Sequence, residues 1–90
     1  MNEPVKTILL SNGKNAIEWT KREKPSVNHW YLCKYSDSDY WKIVKDYHSP
    51  GTKTTYYKIV KYYNGDNLYC GTTLEQIRRI IRYHTYRMVI

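Results

Sequence analysis

The chain is expected to fold as an α+β domain, a small antiparallel sheet of about five strands with one C-terminal helix packed on it. Three observations carry that expectation. Short runs of β-branched and aromatic residues alternate with Gly-, Pro- and Asn-containing turns over most of the chain. The octet Y-x-K-I-V-K-x-Y occurs twice, at 40–47 and 56–63. A single capped, amphipathic segment follows Gly71.

Taken in order, Val5–Leu10 reads as a strand. Ser11-Asn12-Gly13-Lys14 reads as a tight hairpin turn, because Asn-Gly tolerates the positive φ of a type I′ turn. Asn15–Thr20 returns. Lys21–Asn28 is a charged loop containing Pro25, and His29–Tyr35 is a third strand, apolar and aromatic almost throughout. Ser36-Asp37-Ser38-Asp39 is a turn that leads into the first octet. Ser49-Pro50-Gly51-Thr52 separates the octets, with Pro-Gly in a type II arrangement. Asn64-Gly65-Asp66 turns into a short strand over Asn67–Cys70.

Period alone leaves the octets open. Tyr40, Ile43, Val44 and Tyr47 share one helix face, as do Tyr56, Ile59, Val60 and Tyr63. Residue type, short length and strong flanking turns favour strands. Paired antiparallel, the two octets in one register place Trp41, Ile43 and Tyr47 with Tyr57, Ile59 and Tyr63 on an apolar face, interrupted by Lys45 and Lys61. The opposite face then carries Tyr40, Lys42, Val44, Asp46, Tyr56, Lys58, Val60 and Tyr62, a comb of rings and lysines. A slip of one residue would mix the two sets.

The helix starts with a capping box, Thr73 with Gln76 or Thr72 with Glu75, and Gly71 ends the strand before it. Leu74, Ile77, Ile80, Ile81 and His84 make its buried stripe. Arg78, Arg79 and Arg82 lie on or beside the other face. Tyr86–Ile90 either adds a last strand or frays.

Ninety residues are expected to form one domain, residues 1–90, and 15 Lys and Arg against 8 acids give it a net charge of +7. The imbalance is uneven: residues 1–50 hold eight bases and six acids, residues 51–90 seven bases and two acids. Such an excess points to a polyanionic partner, nucleic acid first, or to an acidic protein surface. The ordinary alternative is a basic domain whose charge only keeps it in solution. Eleven Tyr, three Trp and no Phe are too many polar-tipped rings to bury in so small a core, so several are expected at the surface, where they suit base stacking or an interface.

No apolar run is long enough to span a membrane. The N-terminal MNEPVKTILLSNGK lacks the apolar core and cleavage site of a secretory signal, so the cytoplasm is expected, that of the host if the chain is viral. Cys33 and Cys70 are too few for a disulfide scaffold and are expected to be two half-buried thiols. They join His29 and His84 in a Cys₂His₂ inventory, but the spacing fits no zinc site, and no metal or cofactor is expected. Asp37 and Asp39, the acids nearest one another, lie in a turn, where such side chains serve backbone geometry. With no phosphate loop, dinucleotide motif or nucleophile elbow, the chain is expected to be non-enzymatic.

The stretch TTYYKIVKYYNGDNLYCGTTLEQIRRIIRY, residues 54–83, resembles in its order of hairpin, short strand, Gly-Thr and helix the three-stranded-sheet-plus-helix domains of plant ethylene-response factors. It is also similar to the arm-binding domains of phage and transposon integrases. The ending of the double-stranded-RNA-binding domain shares this order. In the first two families the sheet enters the major groove. This chain has neither the arginine-and-tryptophan pattern of the plant family nor the Lys-Lys helix start of the RNA-binding one. The resemblance implies a DNA-binding sheet face.

The expected function is nucleic-acid binding by a small basic protein of a phage or mobile element. Lys42, Lys58, Arg78, Arg79 and Arg82 would contact phosphates, and Tyr40, Tyr56 and Tyr62 would stack or hydrogen-bond. The alternative is a protein-interaction inhibitor of a host nucleoprotein complex, similar in kind to anti-CRISPR proteins. No membrane partner is expected. The oligomeric state stays open, a dimer included.

Overall fold

The computed structural model describes residues 5–90. It is α+β, with seven strands and one helix in the order β1 (Thr7–Leu9), β2 (Asn15–Ile17), β3 (Trp30–Leu32), β4 (Tyr40–Ser49), β5 (Thr54–Lys61), β6 (Asn67–Thr72), α1 (Leu74–His84) and β7 (Met88–Val89). The strands make two antiparallel sheets, β1-β2-β7 and β3-β4-β5-β6, in place of one sheet of about five strands. The division has a simple cause. β2 does not pair with β3; the segment after the helix enters between them. Cys33 bridges to Thr85, Tyr86 N–H donates to the Leu32 carbonyl, and Met88 and Val89 pair with Ile17 and Ala16. The last residues therefore do not fray but join the two sheets.

The helix forms where its cap dictates. Thr73 is the N-cap, its hydroxyl accepting from Gln76 N–H, and Thr85 closes the other end with its N–H on the Ile81 carbonyl. Ile77 and Ile81 are buried against Trp41, Ile43, Ile59 and Cys33, with Leu74 and Ile80 half-buried beside them. A smaller cluster of Leu10, Ala16, Leu32 and Tyr86 sits at the joint between the sheets. Among the described residues no helix is long and apolar enough to cross a membrane.

The octets pair as neighbouring strands in the apolar-face register from Trp41↔Lys61 through Ile43↔Ile59 to Lys45↔Tyr57. Ile43 and Ile59 are both 0% exposed. Beyond Lys45 the register shifts, leaving Asp46 unpaired and setting Tyr47 opposite Tyr56. Tyr47 is thereby turned off the apolar face and is 49% exposed. Tyr63 is not on that face either: β5 ends at Lys61, and Tyr62 and Tyr63 belong to the following loop, closed by the Gly65 N–H on the Lys61 carbonyl.

The turns differ in detail from those expected. At 11–13 only Gly13 has positive φ, at +85°, and the bonds Gly13 N–H to Leu10 O and Leu10 N–H to Lys14 O define a three-residue loop with a left-handed last residue, not a type I′ turn. Between the octets Ser49 pairs with Thr54, so four residues reverse the chain. Lys53, not Gly51, takes the left-handed conformation there, which excludes the type II arrangement. The strand before the helix also runs on through Gly71 to Thr72 by way of an irregularity at which Tyr69 and Gly71 have φ of +53° and +68°.

A basic and aromatic sheet face

Because side chains alternate along a strand, the four-stranded sheet has two distinct faces. One carries Trp41, Ile43, Ile59 and Tyr57 and lies under the helix. The other bears Lys42, Val44, Lys58 and Val60 from the two octets, and no helix covers it. Register places Trp30 of β3 directly opposite Lys42 on this outer face. The Lys42 ammonium stands over the Trp30 ring, 4.3 Å from its centroid.

Next to that pair the rings of Trp30, Tyr40 and Tyr62 wall an apolar recess of about 300 Å³. Tyr62 stands nearly perpendicular to both neighbours, its centroid 5.3 Å from Trp30 at 82° and 6.0 Å from Tyr40 at 89°. Its position is fixed by its own N–H, which donates to the Tyr40 carbonyl at 2.8 Å. At the far end of the hairpin Tyr47 stacks on Tyr56, 5.0 Å apart and 30° between planes.

The expected site residues thus fall into two groups. Tyr40, Lys42, Tyr56, Lys58 and Tyr62 gather on or at the rim of the outer face. Arg78, Arg79 and Arg82 lie on the helix, on the opposite side of the sheet, so the structure does not bring them to the same surface. Two of the three are turned to the neighbouring loop. Arg78 Nε donates to the Pro25 carbonyl at 3.1 Å and Arg82 Nη1 to the Glu23 carbonyl at 2.9 Å. Arg79 pairs with Glu75 one turn away, exposed. With Lys24 they border a groove of about 460 Å³ that also includes the acidic Glu75.

Trp30 and Tyr47 are outer-face residues that sequence reasoning missed. Trp30 sits in the stretch Trp30–Cys33, where every residue is apolar or aromatic, so no alternation marks its face. Tyr47 changes face only because of the bulge at Asp46.

Several of the acids are tied up in the fold. The Asp39 carboxylate is buried and accepts from Tyr40 N–H, Tyr63 N–H and the Trp41 indole. Asp37 accepts from the Ser11 hydroxyl. Asp46 Oδ2 accepts from the Gly71 N–H at 2.8 Å. Glu23 is held below the usual carboxylate range: its burial would raise it, but bonds from Thr20 N–H and the Arg87 guanidinium outweigh that. The two thiols differ: Cys33 is buried in the core, while Cys70 is exposed. Among the described residues no three His, Cys, Asp or Glu gather as a metal-binding group.

His84, at the end of the helix, is enclosed by rings. Trp41, Tyr35, Tyr69 and Tyr83 lie 4.9–6.0 Å away by centroid. The Tyr35 hydroxyl is 2.6 Å from Nδ1 and the Tyr69 hydroxyl 3.3 Å from Nε2. Neutral imidazole donates through one nitrogen and accepts through the other, so both contacts suit the uncharged ring. Burial, and then the charge of Lys34, hold its pKa below the usual histidine value. The unfolded chain therefore binds this proton more readily than the folded one. Stability is expected to be unaffected by His84 above about pH 6.5 and to fall as the pH drops below it. Thermal melts on both sides of that value check this. His84→Gln should flatten the decline, and a slope unchanged in that variant would remove His84 as its cause.

Compared with known protein families, characterised proteins and solved structures, the chain shows no match. What fold and surface define is a class: a small α+β protein with one face of its main sheet covered by a helix and the other basic, aromatic and open.

Proposed function

We propose that the protein binds nucleic acid, without catalysis, through the outer face of the four-stranded sheet. The observation that carries the reading is the charge and ring content of that sheet. Of the four lysines in β4 and β5, Lys45 and Lys61 fall on the helix-covered face, where Lys61 pairs with Asp39, and Lys42 and Lys58 on the outer one; the one carboxylate within β3 to β6, Asp46, is engaged by the Gly71 amide. Lys42 and Lys58 therefore stand on the outer face beside exposed rings with no carboxylate to neutralise them, the combination that suits phosphate contacts and base stacking. The helix packs on one face of the sheet and leaves the other bare. The helix arginines lie on the far side and are not part of this surface.

The test is binding to short single-stranded and duplex oligonucleotides between about 50 and 200 mM salt. Affinity should fall steeply with salt. Lys42→Glu with Lys58→Glu should weaken binding and make the slope of log K against log salt shallower by about 2, since each lysine accounts for roughly one phosphate. The melt of the double variant should drop by no more than about 1–2 kcal/mol in stability, most of it from the lost contact of Lys42 with Trp30. Absence of binding at low salt removes the reading. Capture of an acidic host protein that persists after nuclease treatment would favour the interaction-inhibitor class instead.

A further inference from the structure

We infer that the recess walled by Trp30, Tyr40 and Tyr62 is a seat for one unpaired base, so that the sheet face prefers single-stranded over duplex nucleic acid. This rests on the nucleic-acid reading of that face and specifies its ligand.

Three physical points select this occupant. The walls are rings set nearly at right angles, so a flat heterocycle that enters meets a ring face on one side and ring edges on another, both favourable aromatic arrangements. In a duplex each base is already stacked above and below and offers only its edges in the grooves; only an unpaired base can present its faces to this recess. The recess is also well exposed for such a ligand, with Trp30 41% and Tyr62 62% accessible.

Charge separates a base from the other ligand that aromatic walls attract, an alkylated ammonium. The Lys42 ammonium already sits over Trp30. A second cation brought into the recess would meet that like charge at close range. A nucleotide brings the opposite: its ring enters the recess while its phosphate is drawn to Lys42. Among the described residues the Tyr40 and Tyr62 hydroxyls make no hydrogen bond, which leaves both able to donate to a base edge or a phosphate oxygen.

The test compares a short single strand, its duplex, the same strand carrying one abasic position, and a trimethyl-lysine peptide. The intact single strand should bind more tightly than the duplex. Trp30→Ala and Tyr62→Ala should each weaken single-strand binding roughly 5- to 150-fold, the range for loss of one stacked base, while Trp30→Phe keeps most of it. Tryptophan emission should be quenched by the single strand in the parent and much less in Trp30→Phe, because Trp41 is buried and Trp19 lies beside Arg79, Arg82 and Tyr83 of the helix. Tyr62 is in a loop and largely exposed, so its variant reports on binding even if Trp30→Ala melts early. Equal affinity for single strand and duplex, unchanged by Trp30→Ala or Tyr62→Ala yet lost with the Lys42 and Lys58 reversals, overturns the base seat and leaves the nucleic-acid reading intact. No binding to either oligonucleotide at low salt overturns both. Tight binding of the trimethyl-lysine peptide alone also overturns both and makes the recess a cation cage.

Discussion

Ile59→Ala is expected to lower the unfolding free energy by about 2–5 kcal/mol, and Ile43→Ala by a similar amount. Both side chains are wholly buried, lie directly opposite one another in the hairpin and pack under Ile77 and Ile81 of the helix. Truncating either leaves a cavity where strand, strand and helix meet, the place with least freedom to collapse. A domain of this size has a total stability near the low end of about 5–15 kcal/mol, so either variant should be substantially unfolded at moderate temperature. Val60→Ala, on the outer face of the same strand and only half-buried, should cost about 1 kcal/mol or less. Denaturant melts of the three variants measure the contrast. An Ile59→Ala protein that melts like the parent, beside a Val60→Ala protein that does not, would mean that the two faces of the sheet are reversed.

That contrast marks what could be read from the chain. A slip of one residue would separate Ile43 from Ile59 onto opposite faces, and the turns that bound the octets are strong. Strand pairing and the identity of the helix-covered face were therefore legible. So were the capped helix and its Ile77 and Ile81, because Thr73 and the 3.6-residue period act locally. The bulge at Asp46 was not legible. It depends on Asp46 reaching the Gly71 amide across the sheet, a contact between residues 25 positions apart. Tyr47 changes face with it. The end of β5 was missed for a related reason: Tyr62 and Tyr63 look like a continuation of the strand, but their backbone is drawn into a loop by Gly65 and by Asp39.

The candidate site was half legible on the same grounds. Lys42, Lys58, Tyr40, Tyr56 and Tyr62 follow from the hairpin register or lie next to it. The helix arginines do not belong with them, because a helix that covers one side of a sheet must present its own outer face away from the other side. Arg78 and Arg82 also look like free charge in the sequence, whereas the fold turns them to the carbonyls of Pro25 and Glu23 and so fastens the 21–28 loop to the helix. Trp30 enters the site only through the pairing of β3 with β4, which nothing within residues 29–35 specifies.

Asp39→Ala is expected to cost about 3–5 kcal/mol and to damage the outer face as well. Asp39 is 6% exposed. One oxygen accepts from the N–H groups of Tyr40 and Tyr63, both at 3.0 Å. The other accepts from the Trp41 indole at 3.2 Å and lies 3.7 Å from the Lys61 ammonium. One carboxylate thus ties the start of β4, a core tryptophan and the loop after β5. Alanine removes the acceptor for all three donors, and each buried donor left without a partner costs about 1–3 kcal/mol. The indole bears the most, because Trp41 is buried; water can reach part of the deficit at Tyr40 and Tyr63, which are exposed. Asp39→Asn should fall between the two proteins. Its carbonyl oxygen can still accept from the two backbone amides, but its NH₂ group would then face the Trp41 N–H, donor against donor. The same contacts position Tyr40 and the loop that carries Tyr62, so on the proposed reading of the recess as a base seat both variants should also bind a single strand more weakly at temperatures where they remain folded. Denaturant melts, together with hydrogen exchange at the Tyr63 amide, measure the two effects separately. An Asp39→Ala protein with the parent's melting point and a Tyr63 amide as protected as before would show that the loop is held by its backbone bonds, Tyr62 N–H to the Tyr40 carbonyl and Gly65 N–H to the Lys61 carbonyl, without Asp39.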